Sequence, residues 1–429
     1  MMFKKIASTF IIKIIIAVIN LAIVVVLSQA IGAAGKGEAS LIITSIAMIL
    51  LFCNMIGGSS LVYFVPRNNI FQLFLLSNAW SLLVCGLAYI VFNCFTLVSA
   101  ELILPVILLS LINSFLSTNL TIILGKEMIT VHNLLSLLQA VIGITVLWLM
   151  VRGMDRTNIG SYLISLYASM AGVLAASCFY IFRIIKDDHA GKERGLALKL
   201  ITYGSYSQAG HVMKFMSFRC TYYMLSGYSG EGMLGIFSNG VSLVESVFLI
   251  SNSIATFLYP RVSNSADLNE SKTLTARLTR VSILLCITAL IPLLLLPASF
   301  YTWLFGSEFA GVRGVILILA PGILFYNIAL VIGHYFSGTG KFSINTWANL
   351  TGLLTTVILA LIIYPAFGMT EVGIISTISY FTTSAVVIWY FSKETGSSFL
   401  NLVPGSTDIK WLYREGRAAF STRTDPEEQ

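Results

Sequence analysis

Long apolar runs separated by short polar stretches fill this sequence almost from end to end. A helix needs about 20 predominantly apolar residues to cross the hydrocarbon core of a bilayer. Windows of that length predict helices near 10–31, 41–64, 71–94, 101–124, 130–151, 159–182, 199–225, 231–257, 281–303, 312–336, 344–365 and 370–392. Lipid offers no partner for open backbone N–H and C=O groups, so spanning segments must be helices or closed barrels, and these runs are too long for barrel strands. The pattern predicts an all-α polytopic membrane protein with 12 transmembrane helices.

Composition agrees, with 57% hydrophobic and 10% charged residues against roughly 25% charged in an average soluble domain. The net charge of +7 is dispersed among short loops and forms no basic, aromatic-lined surface, so it reads as topology and nucleic acid is not expected as a partner. With a cytoplasmic amino terminus, 19 of the 26 Lys and Arg residues fall on the cytoplasmic side, and Lys36, Arg152, Arg156 and Arg313 fall on the other. The positive-inside rule then places both termini in the cytoplasm. Lys4 and Lys5 precede a run too long for a signal-peptide core, so the first helix is expected to be retained. The six cysteines sit inside apolar runs without metal-ligand spacing and are assigned to packing.

The two halves repeat one another. Gly37-Glu38 opens the second helix and Tyr63 to Asn68, through Pro66-Arg67, closes it; Gly230-Glu231 opens the eighth and Tyr259-Pro260-Arg261 closes it. Gly125-Lys126 ahead of Asn133-Leu134 is matched by Gly340-Lys341 ahead of Asn349-Leu350. Two repeats of six spans enter from the same side, so they predict pseudo-symmetric six-helix lobes, 1–190 and 191–393, around a central cleft, with 394–429 a polar cytoplasmic tail.

Ionisable residues inside spans are costly and mark candidate sites. On the seventh helix Ser207, His211, Lys214, Phe218 and Tyr222 share one stripe, and Arg219 lies on another flank. Glu245 is the deepest acid, near the middle of the eighth helix, and a neutralising Lys214–Glu245 pair is the plain alternative to a functional role. Lys13 shares a face with Asn20 and is expected to snorkel. His132 and His334 are read as packed polar residues, and Asn54, Gly57 and Gly58 as a close helix contact. The first six spans hold no mid-helix acid, so a cavity biased positive suits an anionic cargo. The candidate cavity residues are Lys214, His211, Arg219, Tyr222 and Asn20, with Glu245 for ion coupling. Gly338-Thr339-Gly340-Lys341-Phe342 lacks phosphate-loop spacing, and zinc-protease, serine-hydrolase and EF-hand patterns are absent. No catalytic residue, metal or cofactor is expected, and the chain reads as a transporter rather than an enzyme.

Several runs, in this order, carry a resemblance: Gly35 to Glu38, Tyr63 to Arg67 with its counterpart Leu258 to Ser263, Leu304 to Phe309, a turn at Leu319-Ala320-Pro321-Gly322, Gly338 to Lys341, and Tyr364 to Gly368. Together they resemble the polysaccharide transporter family, flippases of lipid-linked O-antigen and exopolysaccharide units, over nearly the whole chain to about Lys393. The resemblance implies the multidrug/oligosaccharidyl-lipid/polysaccharide exporter (MATE-like) fold and a bacterial inner membrane. The cargo it implies is an undecaprenyl-pyrophosphate oligosaccharide, moved from the cytoplasmic to the periplasmic leaflet with an ion gradient as energy source. It also implies membrane lipids, a polymerase and other glycan-assembly proteins as partners. Glu371 departs from the family pattern, where a small residue is common. The rivals are a multidrug and toxin extrusion antiporter, a flippase of another lipid-linked precursor, and an intramembrane glycosyltransferase.

Overall fold

The computed structural model describes residues 2–405 and 408, apart from 96, 187, 189, 190, 192, 266, 364–366, 397 and 398; the side chains of 2–10, 59, 206, 207, 399 and 400 are also outside the description. The Tyr364-Pro365-Ala366 motif, the Ser207 side chain and 409–429 of the polar tail therefore lie outside the described residues.

Thirteen α-helices account for the described chain: α1 (Met2–Gly57), α2 (Ser59–Phe64), α3 (Ile70–Phe95), α4 (Ala100–Gly125), α5 (Ile129–Trp148), α6 (Ile159–Lys186), α7 (Leu196–Glu245), α8 (Phe248–Asn264), α9 (Leu268–Leu295), α10 (Ala298–Phe305), α11 (Val312–Gly338), α12 (Phe342–Ile363) and α13 (Met369–Thr395). Two of the helical stretches are far too long for a single crossing. Ile11–Phe64 holds 54 residues and Gln208–Asn264 holds 57, about 80 Å each at 1.5 Å per residue against a core of roughly 30 Å. Each turns back at one glycine, Gly32 (φ 67°, ψ −170°) and Gly230 (φ 82°, ψ 168°). Both lie in a backbone region that only glycine occupies without strain. Split there, with α2 completing the second crossing, α8 the eighth and α10 too short to cross, the described helices make twelve crossings.

The loop expected at 32–40 between the first two spans is therefore absent. Helix resumes at once after Gly32, and Lys36, assigned to an outer loop, sits inside α1 with only 6% of its surface exposed. The break also corrects the repeat: Gly230 corresponds to Gly32, and Gly37 corresponds to Gly235. The predicted turn at Leu319–Gly322 is likewise helix, because Pro321 lies within α11. Proline is tolerated there because neighbouring helices satisfy the freed backbone groups, and a side chain on Gly322 would press on the Thr377 backbone of α13. Glu371 occupies the first turn of α13, where a carboxylate complements the helix dipole.

Contacts divide the chain into two compact units: 1–215 with 222–238 and 299–310, and 216–221 with 239–298 and 311–429. Within the first, α4 packs on α2, α3 and α6, and α5 on α6; within the second, α11 packs on α8, α9 and α13, and α12 on α13. The order is the same. A side chain on Gly125 would strike Val65, and one on Gly338 would strike Val262. The core around these contacts joins Leu61, Val65, Ile122 and Ile181 in one unit and Leu258, Val262, Tyr335 and Phe391 in the other. Large apolar residues such as Phe95, Phe182, Leu295 and Leu361 remain exposed, as a lipid-facing surface requires.

Candidate functional site

Three of the polar constellations among the described helices bear on the candidate site. The first surrounds the two glycine hinges, both in the first unit. Where the second arms of α1 and α7 cross, a side chain on Gly37 would overlap the Glu231 carbonyl, and one on Gly235 would overlap the Ala33 carbonyl. Ala33 and Glu231 each directly follow a hinge glycine, so the two contacts are reciprocal and a local twofold relates the crossing arms. Ser40 and Ser238 are also matched positions and meet on that twofold, Oγ to Oγ at 2.8 Å. Lys36 Nζ donates to Ser40 Oγ at 2.8 Å and to Ser238 Oγ at 3.3 Å. Its counterpart on the other arm is Leu234, fully buried. The ion pairs among the described residues do not include Lys36. Below this crossing Ser45 hydrogen-bonds Tyr223 at 2.9 Å. Nearer the α1–α2 break, Gln208 donates to the Asn54 carbonyl at 3.1 Å.

The second constellation is the predicted stripe on the first arm of α7. His211 is exposed and Lys214 half-buried, one helical turn apart, whereas Tyr222 is buried to 4% with its ring 5.9 Å from Phe237 in an edge-on contact. Asn20 and Lys13 on the first arm of α1 are exposed.

The third is in the second unit. Arg219 grips Glu245 through both nitrogens, Nη1 to Oε1 at 2.9 Å and Nη2 to Oε2 at 2.5 Å. The side chains are 23% and 18% exposed. Glu245, which the sequence offered as one possible partner for Lys214, is held by Arg219. The guanidinium fork matches a carboxylate two bonds at a time, which a lysine cannot do. Beside this pair, Phe218 packs with Tyr326 and Tyr380. Ser217 hydrogen-bonds Ser379 at 2.8 Å. Deeper still, Ser251 bridges Ser282 and Asn327.

Lys36 is the residue that reading the sequence misplaced. The flanking glycines suggested a loop; the signal against a loop was the spacing of Lys36, Ser40 and Thr44 on one helical face. His334 bonds its own helix at the Leu330 carbonyl, 2.8 Å away, and Gly58 abuts Asn54 and Gln208, both packing roles. Among the described residues no three His, Cys, Asp or Glu side chains converge as a metal site would require.

No family model matches the chain. It is 25% identical over 174 residues to capsular polysaccharide biosynthesis protein CapF of Staphylococcus aureus, covering 40% of this chain. It is 20% identical over 206 residues to the probable low-salt glycan biosynthesis flippase Agl15 of Haloferax volcanii, covering 47% of this chain. The chain spans 44% of the length of each of these curated relatives. Among solved structures, an inward-facing multidrug resistance MATE family transporter superposes with a TM-score of 0.68 at 13% identity, over 90% of this chain and 98% of that one. The lipid II flippase MurJ in an inward closed conformation gives 0.69 at 15% identity, over 92% and 89%. A transporter of the same superfamily from Pyrococcus furiosus, described as having a binding pocket of reverse polarity, gives 0.63 at 14% identity, over 91% and 95%. The chain thus has the fold shared by the MATE family transporters and the MurJ flippase, and over less than half of its length it is similar in sequence to a capsular polysaccharide biosynthesis protein and a probable glycan flippase.

Proposed function

We propose that this protein is a flippase that carries an undecaprenyl-pyrophosphate-linked oligosaccharide, an O-antigen or exopolysaccharide repeat unit, from the cytoplasmic to the periplasmic leaflet by alternating access. The sign of the embedded charge carries this reading. Glu101 and Glu371 lie in the first turns of α4 and α13 and Glu308 in the short helical turn after α10, Glu38 lies two residues past Lys36 near the start of the second crossing, and the mid-helix Glu245 is held by Arg219. Lys214 adds positive charge within the seventh span, and the described residues of the first six crossings hold no mid-helix acid. Focused positive potential attracts a pyrophosphate and repels a cationic drug. In this reading Lys214 and His211 draw in the pyrophosphate, Asn20 contacts the sugars, Tyr222, packed on Phe237, supports the stripe from within, and the Arg219–Glu245 pair opens and recloses in step with an ion gradient. The two repeats, 1–190 and 191–393, are the bodies that alternate, in a bacterial inner membrane with both termini cytoplasmic. The curated relatives, a capsular polysaccharide biosynthesis protein and a glycan flippase, support this cargo over a drug.

The test is complementation of a strain that lacks its repeat-unit flippase. The chain restores surface glycan and leaves drug susceptibility unchanged, and Lys214→Ala abolishes the restoration at equal protein level in the membrane. Drug resistance without restored glycan would assign the chain to the antiporters instead, and normal glycan in the Lys214→Ala strain would remove Lys214 from the site.

A further inference from the structure

The crossing of the two hinge arms is symmetric in its reciprocal glycine contacts and in its serine pair, and the matched positions one turn before the serines differ in charge. Gly37 and Gly235 bring the arms to backbone contact from both sides, and the serines meet on the twofold at 2.8 Å. Two further apolar side chains beside the serines would make this a dry, permanent joint of the small-residue kind that holds membrane helices together. One of the two is apolar, Leu234; the other is Lys36. Among the described residues its Nζ donates to the hydroxyls of Ser40 and Ser238, and two neutral hydroxyls replace only part of the hydration an ammonium loses on burial. A buried charge with no ion pair among the described residues sets the closed crossing against an alternative in which the arms part and water reaches Nζ.

We propose that this crossing is a gate and that Lys36 is its positioning residue. The glycines and serines favour the closed form, and the buried ammonium makes that form costly enough for the gate to open. The proposal rests on the transporter reading in needing a path to gate, but its readout is conformational and requires no cargo.

Two substitutions move the gate in opposite directions. Lys36→Met keeps the unbranched chain and removes the charge, so the crossing becomes apolar on both arms and stays shut. Ser238→Ala removes one of the two groups that hold Nζ, so the closed form weakens and the gate opens more. Spin labels at Ala34 and Tyr228, both exposed beside the hinges, report the separation of the arms by pulsed dipolar spectroscopy in lipid nanodiscs, in a background whose six cysteines have been replaced. The expected result is a fall of about tenfold in the ratio of long to short distances for Lys36→Met, a rise of about threefold for Ser238→Ala, and near-parent behaviour for Lys36→Arg, which keeps the charge. Unchanged distributions in both variants, or shifts in the same direction, overturn the proposal. Because misfolding would shift both alike, opposite signs cannot arise from it. Should the parent restore surface glycan while neither variant moves the distances, the gate fails and the flippase reading stands; should the gate respond as stated while no glycan is restored, the reverse holds.

Discussion

Removing one partner of the Arg219–Glu245 pair leaves the other charge without its counter-ion inside the membrane. Breaking a buried pair on one side costs about 3–5 kcal/mol, whereas replacing both partners by apolar groups is often neutral. Both side chains here keep about a fifth of their surface, so screening places the expected cost of Arg219→Ala or Glu245→Ala nearer 2 kcal/mol. The double replacement Arg219→Met with Glu245→Leu should recover most of it. Thermal unfolding in detergent measures the difference, and a double variant as unstable as the sum of the singles would show that the pair contributes nothing. The same pair separates stability from transport, since the apolar double variant is predicted to fold and yet to lose surface-glycan restoration. Which cation meets Glu245 was not legible in the sequence. Lys214 and Arg219 lie five residues apart on the first arm of α7, and which of them meets Glu245 turns on how that arm packs against the second arm, which carries the acid.

At the scale of elements, two local structures carry separate predictions. A β-carbon is strained at the backbone angles of Gly32 and Gly230, by roughly 1–3 kcal/mol for each position. At Gly32 it would also press on the Glu308 carboxylate, which accepts from the Ala33 amide at 2.6 Å. Gly32→Ala and Gly230→Ala should each lower the unfolding midpoint, with the larger effect at Gly32. The second structure is the clasp that follows α13. Arg280 of α9 donates to both oxygens of Asp408, at 3.0 and 2.9 Å, and to the Asn401 carbonyl at 2.8 Å. Burial alone pushes the Asp408 carboxyl up, but the Gly405 amide and the Arg280 guanidinium outweigh it and hold it below the usual 3.8. A carboxyl depressed in the folded state contributes its stability above the unfolded value and loses it as pH falls through the folded one. The clasp should therefore hold at neutral pH and release in the window below about pH 4. In Asp408→Asn it should be released throughout. Hydrogen exchange at residues 399–405 follows this directly, and protection that persists at low pH in the parent would contradict it. The helices themselves were readable, because a span must be apolar for about 20 residues whatever its neighbours. Their ends were less so: α9 begins at Leu268, well ahead of the predicted 281, because Asp267 caps it through the Asn269 amide.

For the whole molecule, the expected outcomes are those of a glycan flippase: surface glycan restored, drug susceptibility unchanged, and restoration lost in Lys214→Ala. The sequence by itself determined the class and the architecture. Lipid accepts no open backbone hydrogen bond, so twelve apolar runs become twelve helical crossings without reference to tertiary contacts. The duplicated landmarks likewise told of two repeats, since each helix end needs its own glycine or proline wherever the chain lies. What only the tertiary structure decided was which residues meet. It made Gly32 and Gly230 the hinges, set Ser40 against Ser238 on a local twofold, drew Lys36 from a supposed outer loop into that crossing, and gave Glu245 to Arg219. Each of these depends on the rotation and close approach of helices distant in sequence. Between apolar segments in lipid, hydrophobicity does not choose a partner face, and small residues and hydrogen-bonding groups settle it only when the helices are in contact.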